Sequence, residues 1–472
     1  MKRILIAFAA AGTMLFTACD KRLDLEPYNA LSSETIFNTE SDFENVIRGM
    51  YRNMVASGSY YGGIWNIFAD VSADNAILNR QGRLTQRVYS EWRYNSNNTI
   101  GLYANAYGII RISNSILENI DKLSAGNFRN NAQGEALAVR AMLHFDLART
   151  FAKTPTNASA TDLGVPYVVS TDLLQLPARE TVAKTYELIA KDLEDASGLI
   201  NLSNGTGRLS RAAVLGLLSK VYLYMGRYED AIAKATESLN IRGNVGTIAQ
   251  FPSIWRDATE EGVLFKLKII NKDNVLIGVN YSQTLSAGIR SEYNADYEFY
   301  NSYKNTDVRK AAYFTTSAYN GVTYNHIVKW YGRTGDPLGV LDYKALRVAD
   351  VLLVRAESYA RTGKEAEALA DLNKLRENRY TDYAPLNLAG DALLTEILKE
   401  RRWEMAYEGD RFFDLKRRNQ PVARNTSFGD RADGSGDTYV FGTLPVGDNK
   451  FQLPFPQSEI NANTNLIQNP GY

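Results

Sequence analysis

The chain has 472 residues, 45% hydrophobic and 22% charged, which excludes a disordered polymer and suffices for one large domain or two or three smaller units. Lys+Arg and Asp+Glu number 53 each, so no overall field draws in nucleic acid or an acidic polymer. One cysteine, Cys19, excludes an internal disulfide framework.

Residues 1–18 predict an export signal. Lys2 and Arg3 precede an apolar run from Ile4 to Phe16, shorter than the roughly 20 residues a membrane-spanning helix needs. Thr17 and Ala18 place small residues before Cys19, and "LFTAC" resembles a bacterial lipoprotein box, in which the cysteine is lipidated and becomes the first mature residue. The alternative is a plain signal peptide with an incidental cysteine. Acyl chains contribute about 0.8 kcal/mol per buried methylene, enough to hold the protein at a membrane. Residues 19–34 read as a polar tether and 35–472 as a single domain.

Helical periodicity dominates from there. "FENVIRGMYRNM" and "NAYGIIRISNSILENI" form one expected pair (41–125), and "EALAVRAMLHFDLARTFA" with "TYELIAKDLEDASGLI" another (132–200). A third (208–241) is more regular: Val214, Leu217, Leu218, Val221 and Met225 share one face, Gly226 breaks the run, and Tyr228, Ala231, Ile232, Ala235 and Leu239 resume it. The fourth (346–378) repeats that pattern, with Tyr359 matching Tyr222, Gly363 matching Gly226 and Ala368 matching Ala231. Small residues that let helices approach, with a tyrosine filling the gap, follow the spacing of tetratricopeptide repeats. Two long inserts, 57–100 and 242–345, interrupt the pairs, and loops of that length usually carry function. In the second, "VLFKLKII" alternates as a short strand and "HIVKWY" is another candidate. Residues 390–472 hold a charged block and a Pro- and Asn-rich end whose apolar residues should pack on the body.

In order along the chain, "EALAVRAMLHFDLARTFA" with "DLGVPYV", "RETVAKTYELIAKDLEDA", "GRLSRAAVLGLLSKVYLYMGRYEDA", "LRVADVLLVRAESYARTGKEAEALADLNKLR", "ILKERRWEMAYEGDRFFDLKR" and "LPFPQSEINANTNLIQNPGY" resemble the SusD/RagB family of outer-membrane nutrient-binding lipoproteins. The resemblance implies a mainly helical SusD-like fold, with four tetratricopeptide-like helix pairs as scaffold and loop-rich inserts with short strands as a ligand-binding cap. It also implies a partner, a SusC-like TonB-dependent barrel that imports the captured oligosaccharide. Lipoproteins of this group exported to the surface often carry acidic residues after the cysteine; here Asp20 is followed by Lys21 and Arg22.

The block "KERRWEMAYEGDRFFDLKR" places Arg401 in line with the apolar stripe Leu394, Ile397, Leu398 and Met405. A guanidinium there must be paired, and Glu357, Glu404, Glu408 and Asp414 are the expected partners. Paired carboxylates could serve glycoside hydrolysis, but a structural role holding helices together accounts better for this block. The two histidines, His144 and His326, lack metal-ligand spacing. His144 reads as scaffold, "GDRADGSGD" as a solvated turn, and Ser210 as the cap of the following helix. No cofactor, metal or nucleic acid is expected.

A sugar receptor needs a flat aromatic platform and a few fixed hydrogen-bonding groups. The first insert concentrates them in Trp65, Asn66, Asp70, Asp74, Asn75, Arg80, Trp92 and Tyr94; the second offers Tyr281, Tyr293, Tyr297 and Trp330. The expected function is therefore a lipid-anchored, non-catalytic outer-membrane receptor for an oligosaccharide or polysaccharide. The alternatives are a repeat scaffold binding a protein or peptide and an all-helical glycosidase.

Overall fold

The computed structural model describes residues 36–56 and 60–472, so the export signal, the tether and the lipidation of Cys19 lie outside the described residues. Helix α1 (Glu40–Val55) begins at Thr39, whose hydroxyl accepts the Asp42 amide at 3.2 Å while the Asp42 carboxylate accepts the Thr39 amide at 2.8 Å. This reciprocal cap satisfies two amides at the helix start. The chain continues through α2 (Trp65–Val71), β1 (Ala76–Leu78), α3 (Arg87–Ser90), α4 (Leu102–Glu118), α5 (Asn127–Phe151), α6 (Val182–Leu199), α7 (Arg211–Met225) and α8 (Tyr228–Ile241). Then follow α9 (Phe251–Ile254), β2 (Val263–Leu267), β3 (Gln283–Leu285), β4 (Gly288–Arg290), β5 (Tyr293–Ala295), α10 (Tyr297–Ser302), α11 (Val308–Tyr313), β6 (Phe314–Tyr319), β7 (Val322–Ile327) and β8 (Tyr343–Arg347). The last elements are α12 (Val348–Arg361), α13 (Glu365–Glu377), α14 (Gly390–Glu404), α15 (Arg411–Arg417), β9 (Val422–Ala423), β10 (Thr443–Leu444) and α16 (Gln457–Ala462).

The helices pair as the periodicity predicts: α1 with α4, α5 with α6, α7 with α8, and α12 with α13. Helix α12 also packs on α8 and α14, so the separated pairs form one continuous body. Helix α7 is buried on nearly every side, which suits its almost unbroken apolar run. Gly226 ends it in the left-handed conformation (φ 71°), where a side chain is disfavoured. Ser210 occupies the position before α7, but its hydroxyl makes no capping bond.

The two inserts meet in one sheet. Its order is β1-β5-β7-β6-β4-β3, every pair antiparallel, and β1 from the first insert registers against β5 from the second with Ala76 opposite Ala295 and Leu78 opposite Tyr293. Strand β2 stays apart from this cap sheet and pairs with β8. Its alternation does not mark a wet face, because Lys266 is buried and ion-pairs with Glu260 and Asp342 at 2.8 and 2.9 Å. Of "HIVKWY" only His326 and Ile327 lie in a strand. The C-terminal segment packs on the end of α5: the Leu453 amide donates to Thr150 O at 3.0 Å, and Asn469 donates to Phe151 O at 2.7 Å.

The charged block is a fastener inside the body. Arg401 pairs with Asp350 (2.8 Å), Asp410 (2.7 Å) and Asp414 (3.4 Å). Glu404, an expected partner of Arg401, instead takes Arg347, Arg379 and Arg309 at 2.8, 2.9 and 3.3 Å. Glu357 pairs with Arg417 and Arg361, and Glu408 with Arg347 and Lys329. Asp414 alone of the four expected acids reaches Arg401; the others are already claimed by nearer guanidinium and ammonium groups. His144 is wholly buried beside Tyr167, with ring centroids 4.0 Å apart. Because the Val168 amide can only donate, His144 Nε2 accepts it (3.1 Å), which leaves the proton on Nδ1 facing Arg140 O at 2.9 Å. Burial depresses this imidazole to about 3, so it is neutral in the fold.

Candidate functional site

Ten of the twelve side chains expected to touch ligand are buried: Trp65, Asn66, Asp70, Asp74, Asn75, Trp92, Tyr94, Tyr281, Tyr293 and Trp330. None of these ten presents an open face to a ligand in this structure. Three of them lie in α2, which is apolar on most sides and buried at all seven positions. The polar groups among the ten serve the chain itself. Asp70 accepts the backbone amides of Tyr407 (2.9 Å) and Gly409 (3.2 Å), and burial raises its pKa to about 6. Asn66 donates to Ile277 O at 2.9 Å. Asp74 receives Arg411 in a two-point pair at 2.7 and 2.8 Å, and Asn75 accepts Arg402 at 2.9 Å. Tyr94 donates to Lys450 O, Tyr281 lies 5.6 Å from the Tyr407 ring, and Trp330 donates to Tyr407 O at 2.6 Å while stacking on Tyr343. Tyr293 is sealed within β5.

Arg80 and Tyr297 remain at the surface, at opposite ends of β5. Arg80 is exposed and makes no ion pair among the described residues. It borders a small notch of about 10 Å³ with Glu91, Thr438 and Val440. Beside the notch Phe441 is 41% exposed, and its ring lies 6.4 Å from the buried ring of Trp92. Trp92 is braced from within: its Nε1 donates to Ser72 O at 2.9 Å, and the Arg424 guanidinium lies 4.2 Å from its ring centroid. Arg424 is itself fixed by the carbonyls of Ala73, Ser90 and Val71 at 2.7, 2.7 and 3.1 Å. Trp92 also has φ 51°. A tryptophan in the left-handed region costs roughly 1–3 kcal/mol, and such strain gathers at functional sites.

One arginine stands against this open ring. Arg93 lies 5.7 Å from the Phe441 centroid, and Arg93 and Arg87 share Glu91 at 3.0 and 2.8 Å. Glu91 is thus committed to two guanidiniums. The exposed Phe441 ring can stack a flat apolar face, and Arg80 can donate forked hydrogen bonds to hydroxyl or carboxylate oxygens. A second aromatic pair sits at the far end of β5, where Tyr297 and Phe428 lie 4.7 Å apart. Gly434 (φ 83°) lets the loop pass over them; a Cβ there would stand 3.0 Å from Phe428 and 3.2 Å from Tyr297. Phe441, Phe428, Arg87 and Arg93 are absent from the sequence-based expectation. The available signal was the aromatic recurrence in "DTYVFG", in a loop-rich stretch with no helical period. Among the described residues no group of three or more His, Cys, Asp or Glu is placed to hold a metal ion.

Two family models cover the chain. One, described as the SusD family, matches residues 224–472, and the other, described as starch-binding associating with outer membrane, matches 21–223. The chain is 25% identical to SusD-like protein P2 of Formosa agariphila, with all of both chains covered. It is similar to a SusD superfamily protein from Bacteroides thetaiotaomicron (TM-score 0.80, 25% identity, 92% of this chain and 100% of that one). It also shares the fold of a SusD superfamily protein from Bacteroides vulgatus (TM-score 0.82, 24% identity, 92% and 100% covered).

Proposed function

The chain belongs to the SusD family, and from that premise we propose that it is a non-catalytic receptor of the outer membrane, anchored by a lipid on Cys19, that binds oligosaccharide on its cap and passes it to a SusC-like TonB-dependent barrel. The starch-binding description of the model matching residues 21–223 supports a carbohydrate ligand associated with that membrane. The observation that carries the reading is the open Phe441 ring, backed by Trp92, which Arg424 braces in turn, next to a notch lined by Arg80, which makes no ion pair among the described residues. A sugar's C–H face fits the ring and its hydroxyls fit the guanidinium. No carboxylate pair stands free at the notch to act as acid and base, because Glu91 is held by Arg87 and Arg93.

Calorimetry across neutral, acidic and host-derived oligosaccharides identifies the best ligand. Phe441→Ala is then expected to weaken its binding by roughly tenfold, about 1.4 kcal/mol of lost stacking. Unchanged affinity would remove Phe441 from the site, and shorter glycan products on incubation would make the protein an enzyme.

One feature favours a protein contact as well. Leu173 and Leu174 are 72% and 89% exposed on the loop after Tyr167. Adjacent exposed leucines are costly unless covered, and we assign this loop to the barrel. Leu173→Asp with Leu174→Asp should abolish co-purification with the barrel and leave glycan affinity intact; an undiminished complex would exclude the loop from the interface.

A further inference from the structure

An open cleft in the body shares no lining residue with the cap notch. It has a volume of about 200 Å³, enough for one monosaccharide-sized group, and sits between the end of α5, the end of α15 and the turn after β10. Lys416 is one of its lining residues. The residue is 92% buried, counting its 8% exposure, and its ammonium donates to Arg149 O at 2.6 Å. Among the described residues no carboxylate pairs with it. The contrast inside the same protein is sharp. The other buried lysines, Lys220, Lys266, Lys329 and Lys344, all end on a carboxylate, with Nζ–O distances of 2.9, 2.8, 2.7 and 2.5 Å. A buried ammonium without an anion is costly, and this one has two N–H donors left for a ligand.

The walls narrow the choice of anion. Asn157 spends its amide on Lys416 O (3.1 Å), and Lys153 is already paired with Asp162 at 2.9 Å. Asn419 and Gln420 stand at the rim, and Phe451 supplies an apolar side. Asp448 also lines the cleft, its Oδ1 accepting the Lys450 amide at 2.8 Å. A carboxylate there repels a multiply charged anion such as phosphate but accepts hydroxyls. The cleft therefore offers a cation at one end and a hydroxyl acceptor at another.

We propose that this cleft is a second binding site that takes a uronic-acid sugar, with its carboxylate on Lys416 and its hydroxyls toward Asp448. The site does not depend on the cap ring, so the two can fail separately. Arg149 is the charged group that bears on the Lys416 ammonium, while Lys153, paired with Asp162, and Asp448 stand on the walls of the cleft. Burial first, and Arg149 second, lower the Lys416 ammonium to about 7. Its protonated fraction therefore falls about tenfold between pH 6 and pH 8, and uronate affinity falls with it.

The test is calorimetric titration of the purified full chain with glucuronate, glucose, acetate and inorganic phosphate at pH 6 and pH 8. Glucuronate is expected to bind, roughly tenfold more tightly at pH 6, and more tightly than glucose, acetate or phosphate. Lys416→Met and the rim change Gln420→Trp, which fills the cleft without touching the core, should each weaken it at least tenfold. Absence of glucuronate binding overturns the proposal. So does glucose binding equally well, acetate or phosphate matching glucuronate, or retention of glucuronate affinity in Gln420→Trp.

Discussion

Replacing Glu404 with Gln is expected to lower folding stability by about 3–5 kcal/mol, a large share of what a natural protein has in hand. The carboxylate is fully buried and is the common acceptor of Arg309 from α11, Arg347 from β8 and Arg379 from the turn after α13. Glutamine keeps the volume and removes the charge, leaving three desolvated guanidiniums short of one counter-ion. Burial opposes the ionised Glu404, but these arginines outweigh it and hold the group well below the usual carboxylate range. Because its folded pKa is depressed, the stability it contributes is present above the ordinary glutamate value of about 4.3 and is lost as pH falls below that. The deficit of Glu404→Gln should therefore be full at pH 7 and shrink on acidification below pH 4. Urea denaturation at both pH values measures it. A deficit under 1 kcal/mol at pH 7 would mean the arginines are satisfied without this residue.

The second large effect separates core from ligand. Trp65→Ala should cost about 3–5 kcal/mol, the usual penalty for emptying a buried tryptophan site, with no change in glycan affinity while the variant is folded. The ring is 3% exposed, stacks on Phe413 at 5.4 Å and has the Arg149 guanidinium 5.3 Å from its centroid. Denaturation and calorimetry on the same preparation decide the matter. Normal stability with affinity reduced tenfold would put Trp65 at the ligand.

The contrast between Trp65 and Phe441 shows what the amino-acid order reveals. Helix pairs are local: the spacing of Val214, Leu217, Leu218 and Val221, and a glycine at 226, need no distant partner to be read. Burial is not local. Asp70 is satisfied by amides 337 and 339 residues away, and Asp74 by an arginine 337 residues away. Fastening a buried charged block and gripping a sugar both call for carboxylates, amides and flat rings. Only long-range packing decides which of the two a cluster does. The same limit applied to Arg401: its need for acids was legible from the apolar stripe around it, but Asp350 and Asp410 come to it through the packing of α12 and the turn before α15. Phe441 escaped notice because its support, Trp92 and Arg424, comes from opposite ends of the chain.

A crystal structure of the protein with its tightest-binding oligosaccharide tests the central claim most directly. The account predicts a sugar ring stacked on the open face of Phe441, with a hydroxyl or carboxylate oxygen within hydrogen-bonding distance of Arg80. A saccharide seated elsewhere, with the Phe441 ring and the Arg80 guanidinium both bare to solvent, would contradict it.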